Sequence, residues 1–395
     1  MPDVPRGPAD PTTLPDRQFA WNQFLPRDVH GNVSLPEHQL LLFFDYTGDG
    51  VPTDAERRQV ETALRSLERA YQPGNGGADP YSPAGGNASG LLFTVGYAPS
   101  HFRRYDAAPA HPVPDPSETL ARIDEPTDRA DAHEVGMVLV SDHVTVLLAA
   151  EQALLGELDA VNGVSVAASF AGVLDRVERR TGFQGPGEPA EELDEEAVPE
   201  ASPLSMGFKS NFRDSQATED RVAIEDGPFA GGTTQHVSRL TIDLDAWYDN
   251  SDERRRHQMF SPHHTREEVG EVGNQLGRDS GVTRETVDRV EEDAEDRNLV
   301  GHSQKVAAAR DDDFEPTILR RSEGVSTDTS AVGFNFTSVQ RRIERFVEVR
   351  GAMNESYDVP DDRDGIRGYI EATSRANFLV PPRSLRALPP ADPSA

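Results

Sequence analysis

The sequence predicts an α+β protein made of two ferredoxin-like units, each an antiparallel sheet with peripheral helices. Three observations carry that prediction. Short apolar runs suited to buried strands alternate with amphipathic runs suited to helices. In the first half the order is β-α-β-β-α-β, that of a ferredoxin-like unit with helices on one sheet face. The second half repeats the alternation less cleanly.

Residues 1–37 are Pro-rich and irregular, and "RQFAWNQFL" is their apolar cluster, expected to dock on the body. The first unit spans 38–184. "HQLLLFFDY" (38–46) reads as a buried strand. In 55–71, Val60, Leu64, Leu67 and Tyr71 fall at helical spacing with charges on the other face. The stretch 72–90 is Gly- and Pro-rich and reads as loop. Residues 91–97 and 133–142 read as strands, 145–158 as a second helix and 164–172 as a fourth strand. The acidic, Pro-rich 185–203 reads as a solvated linker. The second unit spans 204–383. It opens with a strand over 234–249, then helices over 265–277 and 283–297, the first with Thr265 and Glu268 spaced as a capping box. A strand over 331–339, a helix over 340–354 and a short apolar strand at "NFLV" complete it, and 384–395 is a tail.

The 395 residues suffice for a sizeable core. Basic residues number 39 against 69 acidic ones, a net charge of −30, and lysine occurs only at Lys209 and Lys305. Such a surface repels phosphate backbones and anionic membranes, which argues against nucleic-acid binding. Acidic excess with scarce lysine marks adaptation to salt, which screens the mutual repulsion of carboxylates. The absence of cysteine excludes disulfides, thiolate catalysis and iron–sulfur clusters. No apolar run reaches the length of a membrane span. The N-terminus lacks an apolar h-region, so the expectation is a cytoplasmic chain without a signal peptide.

Few motifs carry chemistry. Asp45 to Glu56 satisfies an EF-hand spacing, with Thr47, Asp49 and Gly50 at the intermediate positions. A strand enters this loop where an EF-hand has a helix, so an ordinary strand-to-helix connection is the favoured reading. His236, His257, His263 and His264 form no zinc-ligand pattern, and neither a nucleophile elbow nor a phosphate loop occurs. The segment "GHSQKVAAARDDDFEPTILRRSEG" holds His302 and Arg320, 18 positions apart. A lone histidine is more often structural than a ligand. Here, however, Ser303, Ala307, Ala308 and Ala309 follow it, and a helix face of small residues admits a flat cofactor. Arg320 follows the apolar Ile318 and Leu319, which suits a partly buried guanidinium aimed at an anionic or polarisable group.

This segment resembles the signature of the dye-decolourising peroxidases, in which a helix carries the proximal haem histidine and an "ILRRG"-type segment carries the distal arginine. The resemblance implies that His302 ligates iron and that Arg320, the first of the pair, is the distal arginine in place of Arg321. Other stretches resemble the family in order: "LLFFDYTG", "LLFTVGYAPSHF", "GMVLVSDHVTVLLAAEQAL", "AVGFNFTSVQRRIERFVEVR" and "ANFLVPP". Together they cover roughly 38–383. The resemblance implies two ferredoxin-like units of the dimeric α+β barrel type, with haem b in the second. It further implies peroxide-dependent oxidation of a dye or phenol-like donor by a divergent, salt-adapted (haloarchaeal-like) member, and a longer precursor exported by a twin-arginine route as the alternative to a cytoplasmic chain. A carboxylate or carbonyl near Asp361–Asp364 is expected to accept from the second nitrogen of His302.

One departure concerns the distal acid–base group. "GFKS" puts Ser210 where the family has an aspartate; the alternative register, "FRDS", makes Asp214 the carboxylate and is preferred on chemical grounds. Two readings from other classes compete: a haem-binding or iron-scavenging protein with little turnover, and a ferredoxin-like assembly module without haem. Trp247 and Tyr248 could pass electrons to a surface site but read better as core. Exposed sheet edges, which commonly pair, allow a homo-oligomer.

Overall fold

Eight strands, four from each half of the chain, close into one barrel in which every neighbouring pair is antiparallel. The computed structural model describes residues 4–74, 77–78, 90–193, 198–328 and 331–394. The strands are β1 (His38–Tyr46), β2 (Leu92–Tyr97), β3 (Val135–Ser141), β4 (Leu174–Phe183), β5 (Thr233–Ile242), β6 (Leu319–Ser326), β7 (Gly333–Gln340) and β8 (Ile370–Val380). The barrel order is β6-β7-β5-β8-β2-β3-β1-β4. Each half therefore repeats one ferredoxin-like order, β4-β1-β3-β2 and β8-β5-β7-β6. The halves meet at two seams, Leu379 opposite Tyr97 and Val325 opposite Phe183. These seams join the strand edges within the chain, so the expected edge-to-edge route to a homo-oligomer is closed.

Both faces of β1 are buried because it lies between two apolar layers. Leu40, Leu42 and Phe44 pack outward under the helices α1 (Asp54–Ala70) and α2 (Val144–Leu155). Leu41 and Phe43 point inward with Val138, Val140 and Phe378. Phe378 fills the barrel because Gly96 and Gly136 leave it room: a Cβ at either would stand 2.7 or 2.8 Å from its side chain. The expected docking of "RQFAWNQFL" is seen in Trp21, which packs in this inner cluster, while Gln18 bonds to Pro381 O and Val95 N (2.8 and 3.0 Å).

Several elements differ from their sequence reading. The fourth strand lies at 174–183; residues 164–172 instead hold half of a two-residue hairpin, Val164–Ser165. Apolar patterning misses β4 because its outward residues are charged: Arg176 and Arg179 both bind Glu151 of α2. The strand from 234 ends at Ile242, where Asp243 accepts from Ala246 N (3.0 Å) and caps a helix, Leu244–Tyr248. Trp247 on it is fully buried, with its indole N–H bonded to Met206 O (3.0 Å), as a core residue. The helix expected over 265–277 stops at Val269 because Gly270 leaves the helix at φ 77°. That over 283–297 breaks at Arg289. The last strand runs for 11 residues. Part of the 185–203 stretch and most of 72–90 lie outside the described residues. Among the described residues no helix is long and apolar enough to cross a membrane.

Two further helices matter for the site. The six residues of α3 (His302–Ala307) and the twelve of α4 (Ile343–Asn354) cover the outer sheet face of the second half. In the first half α1 and α2 fill that layer; in the second half it holds a cavity.

Candidate functional site

The cavity lies between the outward residues of β5, β6, β7 and β8, the helices α3 and α4, and the loop 204–215. Its empty space is ≈ 1580 Å³ with the open mouth included. The walls are mainly apolar: Leu240 and Phe334 on the sheet, Val306 and Ala307 on α3, Phe208 and Phe260 on the loops.

His302 opens α3 and lines this cavity. Two glycines hold its backbone. A Cβ at Gly301 would overlap Phe260 O, and Gly365, at φ +60°, packs where a Cβ would stand 3.1 Å from the His302 Cα. Among the described residues no group bonds to the His302 ring. Burial, with the charges of Arg320, Lys305 and Arg350 beside it, pushes the imidazole down from 6.5 to about 3. The ring is therefore neutral at physiological pH, the state in which imidazole can ligate a metal. Other histidines differ: His236, His263 and His264 each bond through the ring to Asn377, Asp293 and Ser261 (2.7, 2.6 and 2.8 Å).

The carboxylate expected to accept from His302 is engaged elsewhere. Asp364 is buried next to Gly365, but it pairs with the ammonium of Lys305 and with Arg367 Nε (3.2 Å). Two cations draw it away from the imidazole.

Arg320 lines the same cavity. Its backbone N–H donates to Gln216 Oε1 (2.9 Å) and its guanidinium to Glu323 Oε1 (3.0 Å). Arg321 points away: it is buried against Glu219, Phe19 O and Asn22, over the Trp21 ring. The pairing of β6 with β7 shifts register between Arg320 and Ser322, a bulge at Arg321. An extra residue re-phases the alternation by one, so Arg320 and Glu323, three apart, reach one face.

Ser210 also lines the cavity, and its hydroxyl donates to Glu323 Oε2. Asp214, the preferred carboxylate from the sequence, does not reach it. Arg278 grips its carboxylate from two nitrogens (2.5 and 3.1 Å) at a partly exposed position outside the wall. The short turn Arg213–Ser215 directs Ser215 inward and Asp214 outward. Sequence reasoning missed Glu323, a carboxylate two residues beyond the arginine pair. It also missed Arg350 and Arg375, which line the cavity and share Glu125. The only signal for Glu323 was its nearness to Arg320.

The Asp45–Glu56 loop is a helix entry. Glu56 accepts from Thr53 N and Oγ1 (both 2.7 Å) in a capping box, and Asp45 accepts from Glu134 N (3.3 Å). Among the described residues the metal-compatible trio is Asp131, His133 and Glu178, and the buried guanidinium of Arg180 already pairs with both of its acids.

Solved structures with this fold include the dye-decolorizing protein from V. cholerae, at 14% identity and a TM-score of 0.55 over 93% of this chain and 98% of that one. A variant of DypB from Rhodococcus jostii RHA1 in complex with heme is similar at 16% identity and a TM-score of 0.54, over 92% of this chain and 98% of that one. At such identities the likeness carries the fold. No curated protein matches the sequence. Over residues 36–382 the sequence matches the model described as Family of unknown function (DUF7405), and the chain belongs to that family.

Proposed function

We propose that the protein is a haem-dependent peroxidase that reduces hydrogen peroxide and oxidises a small organic donor, a dye or phenol-like molecule. The observation that carries this reading is His302: a neutral, half-buried imidazole without a partner among the described residues, lining an apolar cavity that also holds a fixed arginine. The residues fit haem b, which asks for a neutral axial imidazole, a flat apolar slot and cations for its carboxylates. His302 would hold the iron. The small side chains of Ser303 and Ala307 would leave room for a flat ring, and Arg310, Arg350 and Arg375 line the cavity as cations. Arg310 stacks on Phe314 and donates to the main-chain oxygens of Phe314 and Asp214, with Glu315, Asp279 and Asp214 as the nearby acids.

When bound, haem supplies the redox chemistry; the protein's own groups prepare the substrate. Arg320, fixed at its backbone by Gln216 and at its guanidinium by Glu323, holds negative charge developing on peroxide oxygen. The apolar walls exclude water and strengthen that interaction. Family likeness supports the reading at the level of fold, since the similar solved structures include a dye-decolorizing protein and a complex with heme. A haem-holding protein with little turnover is the second reading, favoured by Ser210 standing where the family resemblance places an aspartate.

The test is peroxide-dependent oxidation of a phenolic donor by haem-supplemented protein. Wild type turns over and Arg320→Ala falls by at least about 100-fold, as loss of a charge-stabilising donor predicts. Tight haem binding without donor oxidation would replace the peroxidase reading by the carrier one.

A further inference from the structure

We propose that Glu323 is the proton acceptor of this cavity and that Ser210 is the positioning residue that aims its carboxylate. The assignment rests on the haem reading above for the molecule that brings the proton. Glu323 is the one carboxylate among the residues that line the cavity. It is only 8% exposed, so bulk water does not reach it freely. Both its oxygens are fixed, Oε1 by Arg320 and Oε2 by the Ser210 hydroxyl. The bulge at Arg321 is what turns Glu323 to the face of Arg320; a regular strand would point it the other way. Ser210 and Glu323 together thus reproduce, from two elements, an acid–base group beside an arginine. The short serine leaves room for a glutamate reaching in from β6.

The step is a proton transfer. The proton leaves an O–H of hydrogen peroxide, or the C–H of hydrogen cyanide, for a Glu323 carboxylate oxygen. The anion stays beside Arg320, and no electron passes to or from Glu323. The other charged groups on the walls are Lys209, Arg310, Arg350 and Arg375, with His302 among them as a neutral ring.

Cyanide binding tests this without turnover, because hydrogen cyanide must lose its proton to bind as the anion. The haem-loaded full chain is mixed with cyanide across neutral and mildly acidic pH, and the rate is read from the Soret shift. Glu323→Gln is expected to slow association by about 100-fold at neutral pH, with the resting Soret band retained. Glu323→Asp restores part of the rate, Ser210→Ala shifts the pH profile, and Asp214→Asn behaves as wild type. A wild-type rate and profile in Glu323→Gln overturns the proposal. If that variant loses haem, Glu323→Asp decides: an altered pH profile upholds the assignment and an unaltered one overturns it. A wild type that takes up no haem fails earlier, at the Soret band, and removes both the haem reading and this proposal.

Discussion

Replacing Glu125 by glutamine removes the countercharge of two arginines that line the cavity. Glu125 accepts from Arg375 Nε and NH2 (2.7 and 2.8 Å) and from Arg350 Nε (2.6 Å). Its burial alone would raise the carboxyl, but the Arg375 hydrogen bonds and the two positive charges prevail and lower it from 4.5 to about 2. At about 1.4 kcal/mol per pH unit that difference amounts to roughly 3 kcal/mol. The folded value lies below the unfolded one, so this stability is present above about pH 4.5 and is lost as pH falls toward 2. At neutral pH Glu125→Gln should cost about 3–5 kcal/mol, because Arg375, 2% exposed, keeps its bond to Ser238 but is left buried without a countercharge. The gap to wild type should close as acid protonates the wild-type carboxyl. Urea unfolding of both proteins along a pH series at constant high salt measures this directly. The double variant Glu125→Gln, Arg375→Met should be more stable than the single one, since no charge is then stranded. A gap below about 1 kcal/mol at neutral pH, or one that does not vary with pH, would refute the reasoning.

Net charge predicts salt dependence: at −30, melting should rise by several degrees from about 0.1 M to about 2 M NaCl, and a salt-independent melt would contradict it. Gly365→Ala puts a Cβ 3.1 Å from the His302 backbone at φ +60°; it should cost about 1–2 kcal/mol in a thermal melt and weaken haem uptake, and no change in either would remove the role given to that glycine. Arg320 and Arg321 should separate cleanly. Arg321→Ala strands Glu219 beside the N-terminal segment and should lower urea stability by about 3 kcal/mol or more without slowing the peroxide reaction of the folded protein, whereas Arg320→Ala should slow that reaction in stopped flow.

Local signals made part of this molecule readable and hid the rest. The alternation of apolar runs revealed the antiparallel α+β class, since Leu40 to Phe44 and Val135 to Val140 are strands buried on both faces. Barrel closure was implied only by the family resemblance and by no local pattern, because it depends on single pairings between distant strands, Leu379 with Tyr97 and Val325 with Phe183. His302 and Arg320 lay in one continuous stretch, and both line the cavity. Glu323 lay in that stretch too, but strand alternation sets residues three apart on opposite faces. Only the bulge at Arg321, a tertiary feature, reverses this. Asp214 drew attention for its chemistry alone; the loop that carries it turns it toward Arg278. β4 escaped because ion pairs to Glu151 take the place of outward apolar residues.

Whether His302 holds haem in this cavity is tested by an absorption titration of the purified chain with haem. Wild type should show a Soret band that saturates at one haem per chain and is lost in His302→Ala, whose fold should survive because no described group bonds to the ring. A wild type without such a band, or a band unchanged in His302→Ala, would contradict that role for His302.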